Sequence, residues 1–138
     1  MAIKVMLDEY GIMPTRAHST DAGLDLYSPF DVEIPANGSV CVDTGVHIEL
    51  PHLTVGMIKS KSGLNVKHGI TSEGVVDVGY TGSMVVKLYN HTARSYAVRK
   101  GDKISQLVIM PIVIDDLELV DGLNDTERGT GGFGSTGR

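Results

Sequence analysis

Hydrophobic and polar positions alternate along most of this chain in runs of four to eight residues, and turn residues separate the runs. That period of two is the mark of strands with one buried face. Ala2–Leu7 alternates in this way. "VEIPANGSVCVDTGVHIELP" reads as two or three strands, with a turn at Asn37-Gly38 and breaks at Pro35 and Pro51. "LTVGMIKSKSG" is a strand entering a polar loop. "GVVDVGYTGSMVVKLYN" is strand, turn and strand, in which Met84, Val86 and Leu88 alternate with Val85 and Lys87 and belong to the core. "YAVRKGDKISQLVIMPIV" turns at Gly101-Asp102 and feeds a long apolar strand. Helix signals are scarce, and the one stretch that admits a short helix is Ile104–Gln106. The run Leu107–Ile114 is too apolar for a strand with one wet face, so it implies burial on both sides, in the core or against another chain. Many short strands at close spacing predict an all-β domain of sandwich, jelly-roll or barrel type.

With 138 residues, the expectation is one domain. Trp is absent and Phe occurs twice, so Val, Ile, Leu and Met must fill the core. A formal net charge of -5 argues against general attraction to nucleic acid. It leaves room for a small anion held by a few local donors. Cys41 is alone, which removes an intrachain disulfide and a cysteine metal cage and fits a reducing cytoplasm. The segment MAIKVMLDEYG has no long apolar core, and neither a signal peptide nor a membrane span is expected.

Four polar segments interrupt the strands. In "HSTDAGLDLYS", Asp21 and Asp25 flank small residues and could orient a metal or its water, although taken alone the stretch reads better as an Asx turn. In "KSKSGL", Ser60, Lys61, Ser62 and Gly63 offer hydroxyls, backbone N–H groups and a cation suited to phosphate, or simply a solvated loop. In "GVVDVGYTG", Asp77 precedes a glycine turn and Tyr80; it is a general base or a turn former. A carboxylate ionised at neutral pH takes a proton from a bound water without special tuning. The last segment, "RGTGGFGSTGR", embeds one ring, Phe133, in glycine beside Arg128, Ser135, Thr136 and Arg138. A strap of this kind suits a ligand with both a flat base and phosphates.

In order along the chain, "DAGLDLYS", "KSKSGL", "GVVDVGYTG", "KGDKISQLVI" and "RGTGGFGSTG" resemble the five motifs of the trimeric dUTP pyrophosphatases, the dUTPases. The resemblance spans about Thr20 to Gly137. It implies an all-β, jelly-roll-like (β-clip) subunit over residues 1–125 and a glycine-rich arm over 126–138. It also implies a homotrimer whose active sites lie at subunit interfaces, each closed by the arm of another chain. The implied reaction is Mg²⁺-assisted hydrolysis of dUTP to dUMP and pyrophosphate. That reaction limits uracil incorporation into DNA and supplies dUMP for dTMP synthesis.

By the same resemblance, Asp77 holds the water that attacks the α-phosphorus. Tyr80 packs on the deoxyribose, and a hairpin around Thr71–Asp77, including Val75 and Val76, receives uracil through backbone groups, with Thr71 the side chain nearest that task. Lys61, Ser62, Gly63 and Gln106 correspond to phosphate contacts. Asp25 corresponds to the carboxylate that places Mg²⁺ through water. Phe133 stacks on uracil, with Arg128, Gly134, Ser135 and Thr136 near the outer phosphates. Partners implied are dUTP, dUMP and two further copies of the chain, with no nucleic acid and no membrane.

Two positions depart from the family pattern. Lys61 stands where arginine is usual and lacks the planar fork of a guanidinium. Ser83 stands where an acid or amide is usual. Two rivals bear on the expectation. The dCTP deaminases of the same fold carry a glutamate at the position of Lys87, which a charged lysine cannot replace. A regulatory nucleotide-binding protein would not need Asp77 and the phosphate loops together. The inserted segments of regulatory phage dUTPases have no counterpart in so short a chain.

Overall fold

Strand alternation carries most of the chain in the computed structural model, which describes residues 2–137. Among these residues the strands are β1 Lys4–Leu7, β2 Gly23–Tyr27, β3 Val32–Ile34, β4 Ser39–Asp43, β5 Val46–Glu49 and β6 Thr54–Lys59, then β7 Ile70–Val76, β8 Val85–Asn90, β9 Tyr96–Val98 and β10 Lys103–Pro111. A single helix, α1 Ser62–His68, stands between β6 and β7. Six strands form one sheet in the order β2-β10-β6-β7-β8-β4, and two ribbons, β1-β5 and β3-β9, complete the fold. Every pairing is antiparallel. Residues from all three sheets, among them Ile34, Ile48, Leu88, Val98 and Leu107, share one apolar cluster. The architecture is the expected all-β, jelly-roll-like fold.

The expected core of β8 is present: Met84, Val86 and Leu88 are buried while Val85 and Lys87 face outward. The long apolar run behaves differently along its length. Ile104 and Leu107 are buried, but Met110, Val113 and Ile114 are exposed in the single chain. The sheet ends at Pro111, and residues 113–130 run exposed. Leu117, Leu119 and Leu123 are almost wholly open to solvent.

Three local expectations are corrected. Ile104–Gln106 is strand, because β10 is hydrogen-bonded on both sides, to β2 and to β6. The helix forms instead at Ser62–His68, within the expected polar loop. No residue of α1 is buried, so no apolar stripe marks it in sequence. It ends where Gly69 takes a left-handed conformation and donates its N–H to the Leu64 and Asn65 carbonyls. The Asn37-Gly38 turn exists, with Asn37 at φ 52, but it joins strands of different sheets: β3 pairs with β9, and β4 with β8. Thr71–Asp77 is likewise not a hairpin. β7 is one strand whose first residues, Ile70–Ser72, pair with β8, and whose later residues, Glu73–Val76, pair with β6.

No helix among the described residues is long and apolar enough to cross a membrane.

Candidate active site

The candidate residues fall into three groups. The first is built on the register of β10. Gln106 stands opposite Asp25 on β2 and opposite Lys59 on β6. Its Nε2 donates to the Ser60 carbonyl at 2.9 Å, which fixes the chain just ahead of Lys61–Gly63. A Cβ on Gly23 would come within 2.0 Å of the Gln106 Oε1, so a glycine there lets the amide lie flat against β2. Ser60 is held a second time, donating its hydroxyl to the Ser72 carbonyl at 3.1 Å and accepting from the Ser72 N–H at 3.0 Å. Ser62 and Gly63 open α1 and are exposed, and nothing stands within 4 Å of a Cβ on Gly63. Hydroxyl and backbone donors at that point face solvent.

Asp25 is buried, with 5 % of its side chain exposed. Its two oxygens receive the ammoniums of Lys61 and, at 3.1 Å, Lys103. Burial pushes the Asp25 carboxyl up, but the hydrogen bonds and charges of the two lysines outweigh it and hold the group below the usual carboxylate range. Lys61 therefore spends its charge on Asp25, a contact that an ammonium makes as a point charge without the fork of arginine. Among the described residues no three His, Cys, Asp or Glu side chains gather to hold a metal. A divalent cation with a preference for oxygen and water would find one carboxylate here, each oxygen keeping a lone pair for a metal-bound water. The residues fit an ion that arrives with phosphate oxygens of its own.

The second group is the loop after β7. Asp77 is exposed, and its carbonyl accepts the Tyr80 N–H at 3.0 Å in a tight turn. The Tyr80 hydroxyl donates to the Ser83 carbonyl at 2.7 Å, so the ring folds back over Gly82, where a Cβ would sit 2.5 Å from the phenol oxygen. Ser83 does not face a ligand: its hydroxyl donates to Asp43, which accounts for a small residue at this position. That bond, with the Gly45 N–H and the Tyr10 hydroxyl, holds the Asp43 carboxyl below its ordinary value against the effect of burial. In return the Asp43 carboxylate, 2.9 Å from the Tyr10 phenol, pushes Tyr10 up to about 12. Val76 is buried and Val75 exposed. Along Glu73–Val76 only β6 is paired, so half of the backbone groups point to an edge that β8 has left. Thr71 lies on the half that β8 covers, and its hydroxyl is 2.7 Å from the His91 Nε2.

The third group is the tail. Arg128 Nε donates to the Gly131 carbonyl at 2.6 Å, and the turns at Gly131, Ser135 and Gly137 are closed within the segment. Phe133 is fully exposed at φ 51. Among the described residues the tail's hydrogen bonds stay within it.

Asp77 and Ser62–Gly63 do not meet within one chain. Ser60 is bonded to Ser72, and Asp77 lies five positions further on, one past the end of β7, about 16 Å at the roughly 3.3 Å per residue of extended chain.

The sequence model of the family described as dUTPase matches residues 9–137. The chain belongs to the dUTPase family. It is 48 % identical to the deoxyuridine 5'-triphosphate nucleotidohydrolase of Gloeothece citriformis, over 99 % of this chain and 97 % of that one. It is 46 % identical to the Saccharomyces cerevisiae protein of the same name, over 91 % and 86 %. Among solved structures, the dUTPase of Staphylococcus bacteriophage 80alpha with dUPNHPP superposes with a TM-score of 0.93 at 29 % identity, covering 99 % of each chain. A mutant dUTPase from phage phi11 of S. aureus, described with a coordinated structural Mg(II) ion, gives 0.83 at 27 % identity, over 88 % of this chain and 98 % of that one. In this family's motif order the loops of the sequence fall where the three groups stand. Sequence reasoning missed Asp8, Asp43 and His47: Asp8 follows β1, Asp43 ends β4 and His47 lies on β5, and the His47 ring joins Asp8 to the Thr81 carbonyl only in the fold.

Because the Asp25 carboxyl is held low, its contribution to stability is complete above the ordinary carboxylate range and is lost as pH falls through the folded-state value. Asp25→Asn leaves two ammoniums facing a neutral amide. Lys103, 45 % exposed, loses less than Lys61, 28 % exposed. The expected result is a loss of about 1–3 kcal/mol near neutral pH. The gap to the unmodified chain should narrow as pH falls below about 4, and urea unfolding at the two pH values measures it.

Proposed function

We propose that this chain is a dUTP diphosphatase that hydrolyses dUTP to dUMP and pyrophosphate, acting as a homotrimer in which each site draws on three chains. Family membership carries the activity. The single geometric observation behind the shared site is the separation of Asp77 from Ser62–Gly63 along β7. A carboxylate acting through one water and a phosphate donor acting directly cannot reach the same phosphorus across about 16 Å. A second copy supplying the Ser62–Gly63 loop removes the conflict. The exposed Met110, Val113 and Ile114 are apolar surface suited to that contact.

In this reading uracil lies against the open edge of Glu73–Val76. Backbone N–H and C=O groups there distinguish its donors and acceptors from those of cytosine, since a mismatch leaves buried polar groups unpaired. Tyr80, held by the Ser83 carbonyl, presents its ring to the sugar. Asp77 accepts a proton from the water that attacks the α-phosphorus, the P–O bond to the leaving pyrophosphate breaks, and dUMP remains. Ser62, Gly63 and Gln106 orient phosphate oxygens, and Arg128, Ser135 and Thr136 follow when the tail of a further copy closes. Asp25 would hold Mg²⁺ through its water shell, and the ion would supply neutralisation of phosphate charge. The exposed lone thiol of Cys41 suits a reducing, intracellular setting.

Pyrophosphate release from dUTP, compared with dTTP, dCTP and UTP and with and without Mg²⁺, tests the reading. Equal turnover of dTTP, or release of single phosphate, overturns it. Asp77→Asn is expected to bind dUTP and to turn it over about 10²–10⁴ times more slowly, as binding and rate measured on the same preparation will show. Truncation before Arg128 should leave the fold and the trimer intact by light scattering yet cost ~10²-fold or more in turnover. Phe133→Ala should be milder, since it keeps the phosphate donors.

A further inference from the structure

The loop that carries Asp77 and Tyr80 is tied to the body of the fold by a histidine outside the five motifs. The His47 Nδ1 lies 2.7 Å from the Thr81 carbonyl, the residue after Tyr80. Its Nε2 lies 3.0 Å from Asp8 Oδ2, just beyond β1. Both partners are acceptors: a carbonyl and a carboxylate. A neutral imidazole has one N–H and satisfies one of them, whereas an imidazolium satisfies both. The ring is mostly enclosed, with 18 % of the side chain exposed. The β1-β5 ribbon fixes its place by pairing Met6 with His47.

We propose that His47 is a positioning residue of the dUTPase site, its doubly protonated ring clamping the Thr81 carbonyl to Asp8 and so holding the turn that presents Tyr80 and Asp77. The inference rests on the dUTPase reading. Two attachments complete the hold: Ser83 donates to Asp43, and Tyr10 donates to the same carboxylate. The charged groups around His47 come from each neighbouring element. Asp8 follows β1 and Asp43 ends β4, both negative. Lys4 and Glu49, further along the ribbon, pair with each other at 3.4 Å. Tyr10 keeps its proton, with its phenol pushed up to about 12. The field is negative and favours the imidazolium.

The Thr81 carbonyl and then the Asp8 carboxylate raise His47 above its ordinary value, against burial. A raised value means that the clamp is complete below the ordinary histidine range and loses one bond as pH rises through the folded-state value. The proton that remains is held best by the Asp8 carboxylate, the charged acceptor, so the bond lost is the one to the Thr81 carbonyl.

The test is kcat/KM for dUTP from about pH 5.5 to 9 in the unmodified chain, His47→Gln and Asp8→Asn, with an NMR titration of the His47 ring nitrogens. In the unmodified chain kcat/KM should carry an alkaline fall of about three- to tenfold, the worth of one hydrogen bond. Its midpoint should coincide with the ring titration. Asp8→Asn should move both midpoints to lower pH. His47→Gln should lack this fall and stay at the lower level throughout. The same fall persisting in His47→Gln overturns the proposal, as does a ring that titrates at or below the ordinary histidine value. If either variant fails to fold, the ring titration of the unmodified chain decides alone. A chain that releases no pyrophosphate at any pH fails the enzymatic reading instead, and the ring titration still reports on the clamp.

Discussion

Antiparallel pairing of β10 on both of its edges is the constraint from which the rest of the structure follows. The pairing sets Asp25, Gln106 and Lys59 side by side across three strands. A slip of one position would exchange Gln106 for Leu107 and drive an amide into the core. The full burial of Leu107 therefore fixes where Gln106 stands, and Gln106 in turn fixes the Ser60 carbonyl. From Ser60 the chain turns directly into Lys61, Ser62 and Gly63. The same register sets Asp25 beside Lys103 and within reach of Lys61, so the one buried carboxylate of the region meets two cations instead of apolar surface. Core packing and the phosphate-type loop are consequences of one alignment.

Much of this was legible in the sequence because much of it is local. Alternation at Met84, Val86 and Leu88 follows from the pleat, and the turn at Gly101-Asp102 follows from glycine, whose φ there is 88. Pairing partners were not legible. "IPANGSV" looks like a hairpin, yet Asn37 donates its N–H to the Thr92 carbonyl, a residue far along the chain, and the two flanking strands enter different sheets. α1 escaped notice because it is short and sets only Leu64 against the core, with Val66 82 % exposed. Of the site, the motif loops were visible as types of residue. Their separation was not, since it depends on which half of β7 faces β6. Ser83 shows the difference clearly: as a letter it is a departure from a pattern, and in the fold it is a donor to Asp43.

A strand that changes partner midway also explains why a backbone edge is open at all. β7 meets β8 for three residues and then β6 for four. Had β8 stayed paired to the end, Glu73–Val76 would have no free backbone groups, and the chain would have no room for the turn at Asp77. The turn that follows is tied to Asp43, which ends β4 opposite Val85, and to His47 on β5. The cost is an edge without a partner, a feature that folds otherwise cover or blunt. On the proposed reading the base of the substrate covers it, so the same divergence creates the need and the site.

The placement of charge follows the same logic. The loop with Asp77 is held by one bond in each direction: His47 in the body gives to the Thr81 carbonyl, and Ser83 in the loop gives to the Asp43 carboxylate. Asp77 itself is left out of these bonds and faces solvent. On the proposed reading Asp77 takes a proton from water, and such a carboxylate gains nothing from internal donors, which would hold it ionised and spend its lone pairs. Asp25 shows the opposite arrangement, buried and engaged on both oxygens, and on the proposed reading it also meets an ion's water shell. The two carboxylates differ in burial and in partners, and on that reading the difference separates a base from an anchor. On the proposed reading, what the isolated chain lacks is the meeting of Asp77 with the phosphate donors, and neither alternation nor register within one chain can supply it. The apolar stretch from Met110 onward leaves the sheet at Pro111 and runs largely exposed. In this protein the strand that organises the core is also the one that runs out of it.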